Sequence, residues 1–329
     1  MASEGGKKVA VIEGDDASPE AVRPTIALVR ELVSEIEWTY PLVGEPAMEA
    51  EGSPFPAASR AMIDAADTTF FGSTSGSSGA SLMYLRWGKQ TFANVRPAHY
   101  LPGARSPLAD PVGIDFVIVR ENLEDLYVRA EGELDALADP APVGTTIRRS
   151  VKDLGAGRFA IKAITVEGSE RIIRFAFELA RKRRRRLAVT SKYNMLPQTD
   201  GLFREIGQAL SGDYPDVETE FFIIDDFACR LVREPKRFDV VVMPNLYGDI
   251  LSDAAAGLVG GLGFAASGCY GTDYAYFETA HGTAPDIAGQ HIINPTANLL
   301  TAVLMLEYLG FDQPAARLKR AVEAVYAEG

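Results

Sequence analysis

The chain has 329 residues, 47% of them hydrophobic and 24% charged, the composition of a soluble globular protein with core enough for two lobes. Its 45 acidic residues against 33 basic ones give a formal net charge of −12, which excludes a general affinity for nucleic acid or acidic lipid. Two cysteines, Cys229 and Cys269, exclude a disulfide framework and lack zinc-ligand spacing.

The opening, MASEGGKKVAVIEG, has no apolar signal region and gives a cytoplasmic expectation. VAVIEG at 9–14 reads as a first buried strand. A helix follows, with Ser18 as N-cap, Pro19 at the first helical position, Glu20 suited to the dipole, and Val22, Ile26, Val29 and Leu32 as its apolar stripe. TTFFGS at 68–73, DFVIVR at 115–120, RLAVTS at 186–191, TEFFII at 219–224 and DVVVMP at 239–244 read as further strands. Prolines and glycines at 97–113 suggest a crossing between lobes, and the polar, Gly- and Pro-containing stretch 129–160 suggests a projecting arm that serves as a dimer contact. A helix from Ser169 ends in the basic run Arg181–Arg186, whose charges answer the helix dipole and face water; RNA binding is the lesser alternative. The uncharged run Ala254–Thr272 is too glycine-interrupted to span a membrane and reads as close helix and loop packing. Runs of strand alternating with helix give an α/β protein with a largely parallel sheet.

The stretch NLYGDILSDAAA places Asp249 and Asp253 four residues apart, on one helix face and about 5–6 Å from each other. Like charges so placed need a positive group between them or full solvation. Arg120, Lys192 and Asp225 each end a strand, and in open α/β sheets ligand groups collect at that edge. Arg86 and Arg96 sit near other element ends, and three converging guanidinium groups suit a substrate with two carboxylates. A hard divalent cation, Mg²⁺ or Mn²⁺, accounts best for Asp225, Asp226, Asp249 and Asp253 together.

FDVVVMPNLYGDILSDAAAGLVGGLG, HGTAPDIAGQHIINPTANLL, FANVRPA, VREN followed by LYV, SERIIRFAFELARKR and SKYN together resemble the metal-dependent β-decarboxylating dehydrogenases, which include the isocitrate, 3-isopropylmalate, homoisocitrate and tartrate/D-malate dehydrogenases. The resemblance covers nearly the whole chain. It implies a two-lobed isopropylmalate-dehydrogenase-like fold, with a cofactor-binding domain at 1–97 and 258–329 and a substrate and dimerisation domain at 98–257 carrying the arm. It implies a homodimer, or a tetramer, with shared sites: Asp249 and Asp253 as metal ligands in one subunit, Asp225 as the ligand from the other, and Lys192 also carried into the neighbour's site to take or relay the C2 hydroxyl proton. Tyr127 matches the acid that protonates the enol, and Arg86, Arg96 and Arg120 match the clamp on the malate moiety. The cofactor is also an implication, because no GxGxxG is present: His281, Gly282, Ala284, Asp286 and Asn294 line the adenosine side, with Glu278 and Asn194 nearer the nicotinamide. Asp286 would repel a 2′-phosphate, which favours NAD over NADP.

Three features depart from the family pattern. The first loop reads GDDASPE rather than GDGIGPE, so Asp16 and Ser18 stand for glycines. The loop between Phe71 and Arg86, where the C3 substituent is recognised, is shorter than in most relatives; Leu82 and Met83 stand there where 3-isopropylmalate enzymes place a pair of leucines, an apolar wall favouring an alkyl or aryl group over a further carboxylate, although VREN with LYV looks more like homoisocitrate dehydrogenase. The chain ends at Gly329, before the C-terminal strand and helix that the family usually adds. The expected activity is oxidative decarboxylation of a 3-substituted malate, with 3-isopropylmalate, homoisocitrate and 3-benzylmalate all open. Isocitrate or tartrate/D-malate dehydrogenase is the alternative, as is a non-catalytic regulatory subunit of the same fold.

Overall fold

The computed structural model describes residues 6–329; residues 1–5 of the opening segment lie outside it. Ten strands form one sheet. In chain order the elements are β1 (Lys7–Ile12), α1 (Ser18–Leu32), β2 (Ile36–Thr39), α2 (Glu45–Glu51), α3 (Ala57–Asp64), β3 (Thr68–Phe71), α4 (Gly79–Met83), β4 (Ala93–His99) and β5 (Asp115–Glu121). Four short strands follow, β6 (Glu131–Glu133), β7 (Val143–Gly144), β8 (Arg149–Ser150) and β9 (Arg158–Ala160), and then α5 (Val166–Arg181), β10 (Arg186–Ser191), α6 (Asp200–Ser211), β11 (Glu218–Ile223) and α7 (Ile224–Arg233). The last are β12 (Val240–Met243), α8 (Asn245–Val259), β13 (Ala266–Tyr270), β14 (Ala275–Thr279), α9 (Thr296–Tyr308) and α10 (Asp312–Glu328).

The strand order is β11-β10-β12-β5-β4-β13-β14-β3-β1-β2. Of the nine pairings in it, six are parallel and three, around β4 and β13, are antiparallel. The inner strands are buried on both faces and rich in Val, Ile and Phe, as the sequence indicates, whereas the edge strands β2 and β11 are partly exposed. Each half of the sheet has its own apolar clusters: Ile172, Phe177, Val189 and Val242 pack in one half, Val11, Ile26, Phe277 and Leu306 in the other.

The six expected strands are all present, shifted by at most two residues at either end. β2, β4, β13 and β14 were not expected. In β4, Arg96 and Pro97 interrupt the apolar pattern, and Pro97 is tolerated because the ladder to β13 stops at Val95, so its missing N–H has no partner strand to serve. β13 lies inside the glycine-rich run that reads as helix and loop; Gly268 packs against the Tyr270 ring, leaving no room for a Cβ. Pro97–His99 belong to β4 rather than to a crossing, and 100–113 forms the loop to β5, with Leu101 and Ala104 against Val322 of α10. Ser18 is not an N-cap: the cap position is Ala17, and Ser18 Oγ donates to the Glu13 carbonyl (2.9 Å) and accepts from the Ser73 amide (2.9 Å). α5 begins before Ser169, because Thr165 caps it by accepting from the Gly168 amide at 3.0 Å. The stretch 129–160 forms two antiparallel pairs, β6 with β9 and β7 with β8. The basic run after α5 is neutralised locally: Arg181 pairs with Asp216, Arg183 with Asp115 and Asp239, and Arg186 with Glu218. Among the described residues no helix is long and apolar enough to cross a membrane.

Two contacts fix the strand end on which the site is built. α8 lies on β5 at Gly248, where an added Cβ would come within 2.6 Å of the Arg120 Cβ and Cγ. Glu121, the last residue of β5, is 3% exposed and turns back to accept from the Leu123 and Glu124 amides at 3.0 and 2.7 Å. Burial pushes its carboxyl up to about 7, against those amides, which hold it down.

Gly248→Ala is expected to cost about 1–3 kcal/mol in chemical denaturation by forcing α8 off Arg120, and parental stability contradicts this packing. Between the ordinary value of 4.5 and about 7, folded Glu121 keeps a proton that the unfolded chain releases, so its contribution to stability falls as pH rises through that window. Glu121→Gln removes the titration: its stability relative to the parent should rise between pH 4.5 and 7 by up to about 3 kcal/mol. A difference independent of pH would show that Glu121 is ionised when folded.

Candidate active site

The neighbours β11, β10, β12 and β5 run parallel, so their C-terminal ends share one edge. Arg120 lies one residue before the end of β5 there, 2% exposed; its Nε donates to the Asn245 Oδ1 at 2.8 Å, and its Nη1 donates to Asp249. Arg96 reaches the same helix from mid-β4, its Nη1 donating to the Ser252 hydroxyl at 2.7 Å and to Asp253 at 3.1 Å, with Asp249 at 3.5 Å. The guanidinium of Arg96 is therefore the positive group between the two carboxylates. Tyr127 donates from its hydroxyl to Asp249 Oδ2 at 2.5 Å, with the Arg120 guanidinium 5.1 Å from its ring centre.

The electrostatics follow from that geometry. Burial pushes Asp249 up, but Arg120, the Tyr127 hydroxyl, Arg96 and Arg86 outweigh it and hold the carboxyl below its usual range. Burial raises Asp253, with the neighbouring Asp249 adding to the effect against Arg96. Burial, reinforced by the Arg96 charge, pushes Arg120 down to about 10 despite Asp249. Burial and the bond to Asp249 raise the Tyr127 phenol, so it holds its proton at neutral pH.

Arg86 follows α4 and sits inside: its Nη2 donates to Glu278 Oε1 at 3.3 Å, and Tyr276 donates to the same oxygen at 3.1 Å. Glu278, in β14, is buried and is not a surface acid. Cys269 lies 3.8 Å from it, its thiol pushed up to about 12 by burial and so unreactive. Leu82 is half-buried against the cluster of Phe55 and Leu85, and Met83 is exposed.

Lys192 and Asp225 form a second group. Lys192 Nζ donates to Asp225 Oδ1 at 2.5 Å, and that hydrogen bond holds the Asp225 carboxyl below its usual range. Among the described residues, no hydrogen bond or ion pair joins either of them to Asp249 or Asp253. Asp226 pairs with Arg230 on the surface of α7 and takes no part. Among the described residues, no group of three or more His, Cys, Asp or Glu is arranged to hold a metal ion. One chain could offer a divalent cation two hard oxygen donors, the carboxylates of Asp249 and Asp253, a donor chemistry that suits such an ion but is incomplete in number.

The GDDASPE loop and the HGTAPDIAG segment meet, the Ala17 amide donating to the Thr283 carbonyl at 3.2 Å. Asp16 takes the left-handed backbone (φ 53°) that Asp tolerates, and the Ser18 hydroxyl fills the space of a glycine hydrogen, so the loop absorbs both departures. His281 Nδ1 lies 2.8 Å from the Gly282 carbonyl oxygen, while its Nε2 is buried without a partner. Gly282, Ala284, Asp286, Asn294 and, after β10, Asn194 are exposed. Asn294 accepts from the Thr296 amide at 2.9 Å, and the Asp286 carboxylate makes no hydrogen bond among the described residues. An exposed carboxylate and an orphaned imidazole nitrogen in the same segment fit a ribose-bearing cofactor.

Some supporting residues escape motif reading. Asp15 gathers the Ser75 and Ser78 amides and the Thr74 and Ser78 hydroxyls, and Glu20 accepts from the Gly289 and His291 amides at 2.5 and 2.7 Å, so the first tethers the 74–78 loop and the second the segment after Asp286 to the GDDASPE loop. Asn245 and Ser252 hold the arginines. Their signal, polar residues flanking Asp249 at helical spacing, is legible only once Asp249 is known to face inward.

Comparison with known proteins gives this geometry its family. The isocitrate/isopropylmalate dehydrogenase model matches residues 8–329. The 3-isopropylmalate/3-methylmalate dehydrogenase of Methanocaldococcus jannaschii is 39% identical over 98% of this chain and 92% of its own length. The isocitrate/homoisocitrate dehydrogenase of Thermus thermophilus is also 39% identical, over 98% of this chain and 91% of its own. The crystal structure of isocitrate dehydrogenase from Methylococcus capsulatus superposes with a TM-score of 0.85 at 37% identity, covering 98% of this chain and 91% of that one. The chain belongs to the isocitrate/isopropylmalate dehydrogenase family, whose members are decarboxylating dehydrogenases acting on a CH–OH group, and it is an enzyme of that class.

Proposed function

We propose that the chain oxidises and decarboxylates a 3-alkylmalate, of the 3-isopropylmalate type, with NAD and Mg²⁺ or Mn²⁺, as a cytoplasmic homodimer with shared sites. The observation that carries the reading is the pairing of two buried guanidinium groups, Arg96 and Arg120, with Asp249, with a protonated phenol among them and Arg86, held on Glu278, near enough to add its charge. Such a cluster recognises a small anion with two carboxylates.

In this reading residues 1–97 and 258–329 hold the cofactor, 98–257 hold substrate, and the arm near 129–160 joins two copies. Asp249 and Asp253, with Asp225 from a second copy, would hold the divalent cation, which supplies Lewis acidity at the C2 oxygen; NAD, held along His281, Gly282, Ala284, Asp286 and Asn294 with Glu278 and Asn194 nearer its nicotinamide, supplies the hydride acceptor. The arginines bind and orient the substrate carboxylates. Lys192 would take the proton of the C2 hydroxyl as a neutral amine, once Asp225 is engaged by the cation and no longer holds its ammonium form, or relay that proton onward to water. Tyr127, whose phenol keeps its proton, delivers it to C3 after carbon dioxide leaves, while Asp249 holds its hydroxyl in place. Asp286 disfavours a 2′-phosphate by charge. Leu82 and Met83 offer the C3 substituent apolar surface, on which a further carboxylate would be desolvated without a partner.

A second reading, isocitrate or homoisocitrate oxidation, rests on relatives of that name being as similar as the isopropylmalate ones. A panel of 3-isopropylmalate, 3-methylmalate, 3-benzylmalate, isocitrate, homoisocitrate, D-malate and tartrate, assayed by NADH absorbance with Mn²⁺, separates them. The expected result is kcat/KM at least roughly tenfold higher for an alkylmalate than for either tricarboxylate, abolished by chelator and lower with NADP. A tricarboxylate turned over best would favour the second reading, and no turnover of any member would favour a regulatory subunit.

A further inference from the structure

The buried charges next to the site include one set with no role so far. Lys162, just before α5, is 13% exposed in its side chain, and its Nζ lies 2.6 Å from Asp200 Oδ2, 3.6 Å from Asp125 Oδ1 and 3.2 Å from the Tyr247 hydroxyl. Asp200 and Asp125 are completely buried. Each acid holds a different piece of the site with its other oxygen. Asp200 Oδ1 accepts from the backbone amide of Lys192 at 2.8 Å, and the Asp200 carbonyl accepts from the Ser191 hydroxyl at 2.9 Å. Asp125 Oδ2 accepts from the Leu246 amide at 2.9 Å, in the first turn of α8, which has no side-chain cap of its own. One ammonium thus braces both the turn that presents Lys192 and the head of the helix that presents Asp249.

We infer that Asp200 and Lys162 are positioning residues for Lys192: Asp200 fixes the Lys192 backbone, and Lys162 keeps that carboxylate in place while tying it to the head of α8. Among the described residues the polar contacts of the Lys162 ammonium are with Asp200, Asp125 and Tyr247, with the Tyr247 ring centre 4.5 Å away. Two buried carboxylates share one cation, so removing the ammonium leaves both uncompensated. Asp200→Asn retains the shape but weakens the hold on the Lys192 amide, because a neutral acceptor replaces a charged one.

This inference rests on Lys192 acting at the C2 hydroxyl, and a double-mutant cycle tests the two separately. Lys192→Ala, Asp200→Asn and the double variant are purified as the full chain, with thermal melting to establish folding. The expected result is that Asp200→Asn lowers kcat at least about tenfold with KM for NAD unchanged, and that the double variant is no slower than Lys192→Ala. Where Lys192→Ala turns over below detection, its rate rescued by methylamine is the comparator and should be insensitive to Asp200→Asn. Lys162→Arg should keep most of the activity that Lys162→Met loses. Full additivity of the two losses, or parental kcat in a folded Asp200→Asn variant, overturns the inference; parental kcat in Lys192→Ala overturns the role of Lys192 itself.

Discussion

Two carboxylates one helical turn apart, faced by arginines that have almost no access to water, set the terms for everything around them. Arg120 and Arg96 are 2% and 8% exposed, and a buried charge is tolerated only when paired and hydrogen-bonded. The surrounding sequence supplies that pairing: Asn245 and Ser252 take the donors that the aspartates leave, Gly248 lets the helix approach Arg120, and Tyr127 closes the second oxygen of Asp249. The cluster nonetheless remains imperfectly balanced. Burial drives Arg120 down and Asp253 up, so both ends of the ion-pair network favour an incoming group, an anion at the arginines and a cation at the carboxylates. A chelate of a hydroxy-dicarboxylate with a divalent cation satisfies both demands together.

Lys192 and Asp225 stand at the same sheet edge yet pair with each other rather than with this cluster. Separation of the two groups within one chain is the physical ground for proposing that the site is completed by a second copy. It also gives the brace through Lys162 its interest: in such a dimer the same ammonium supports the metal-binding helix of one site and the proton acceptor of the other.

Most of the sheet was legible because its inner parallel strands are buried on both faces and therefore rich in Val, Ile and Phe; the short, half-exposed edge strand β2 has no such run. β4 and β13 were not legible either, since Arg96, Pro97 and the small residues around Gly268 serve the site and the packing of Tyr270 rather than strand propensity. Ser18 resembled a helix cap in sequence but bonds across to Glu13 and Ser73, a tertiary contact that no local pattern records. In the site, spacing alone pointed to Asp249 and Asp253, whereas the roles of Tyr127, Lys192 and the cofactor segment came from resemblance. Asp15, Glu20, Asp125, Lys162 and Asp200 were silent, because a buried polar residue reads like a surface one until its partners are known.

The central claim is that the α8 carboxylates hold a divalent cation only with Asp225 of another copy. Titration of Mn²⁺ into the protein, followed by electron paramagnetic resonance, compares the parent with Asp253→Asn and Asp225→Asn. The account predicts that each variant loses at least about tenfold in affinity; parental Mn²⁺ affinity in Asp225→Asn would contradict it.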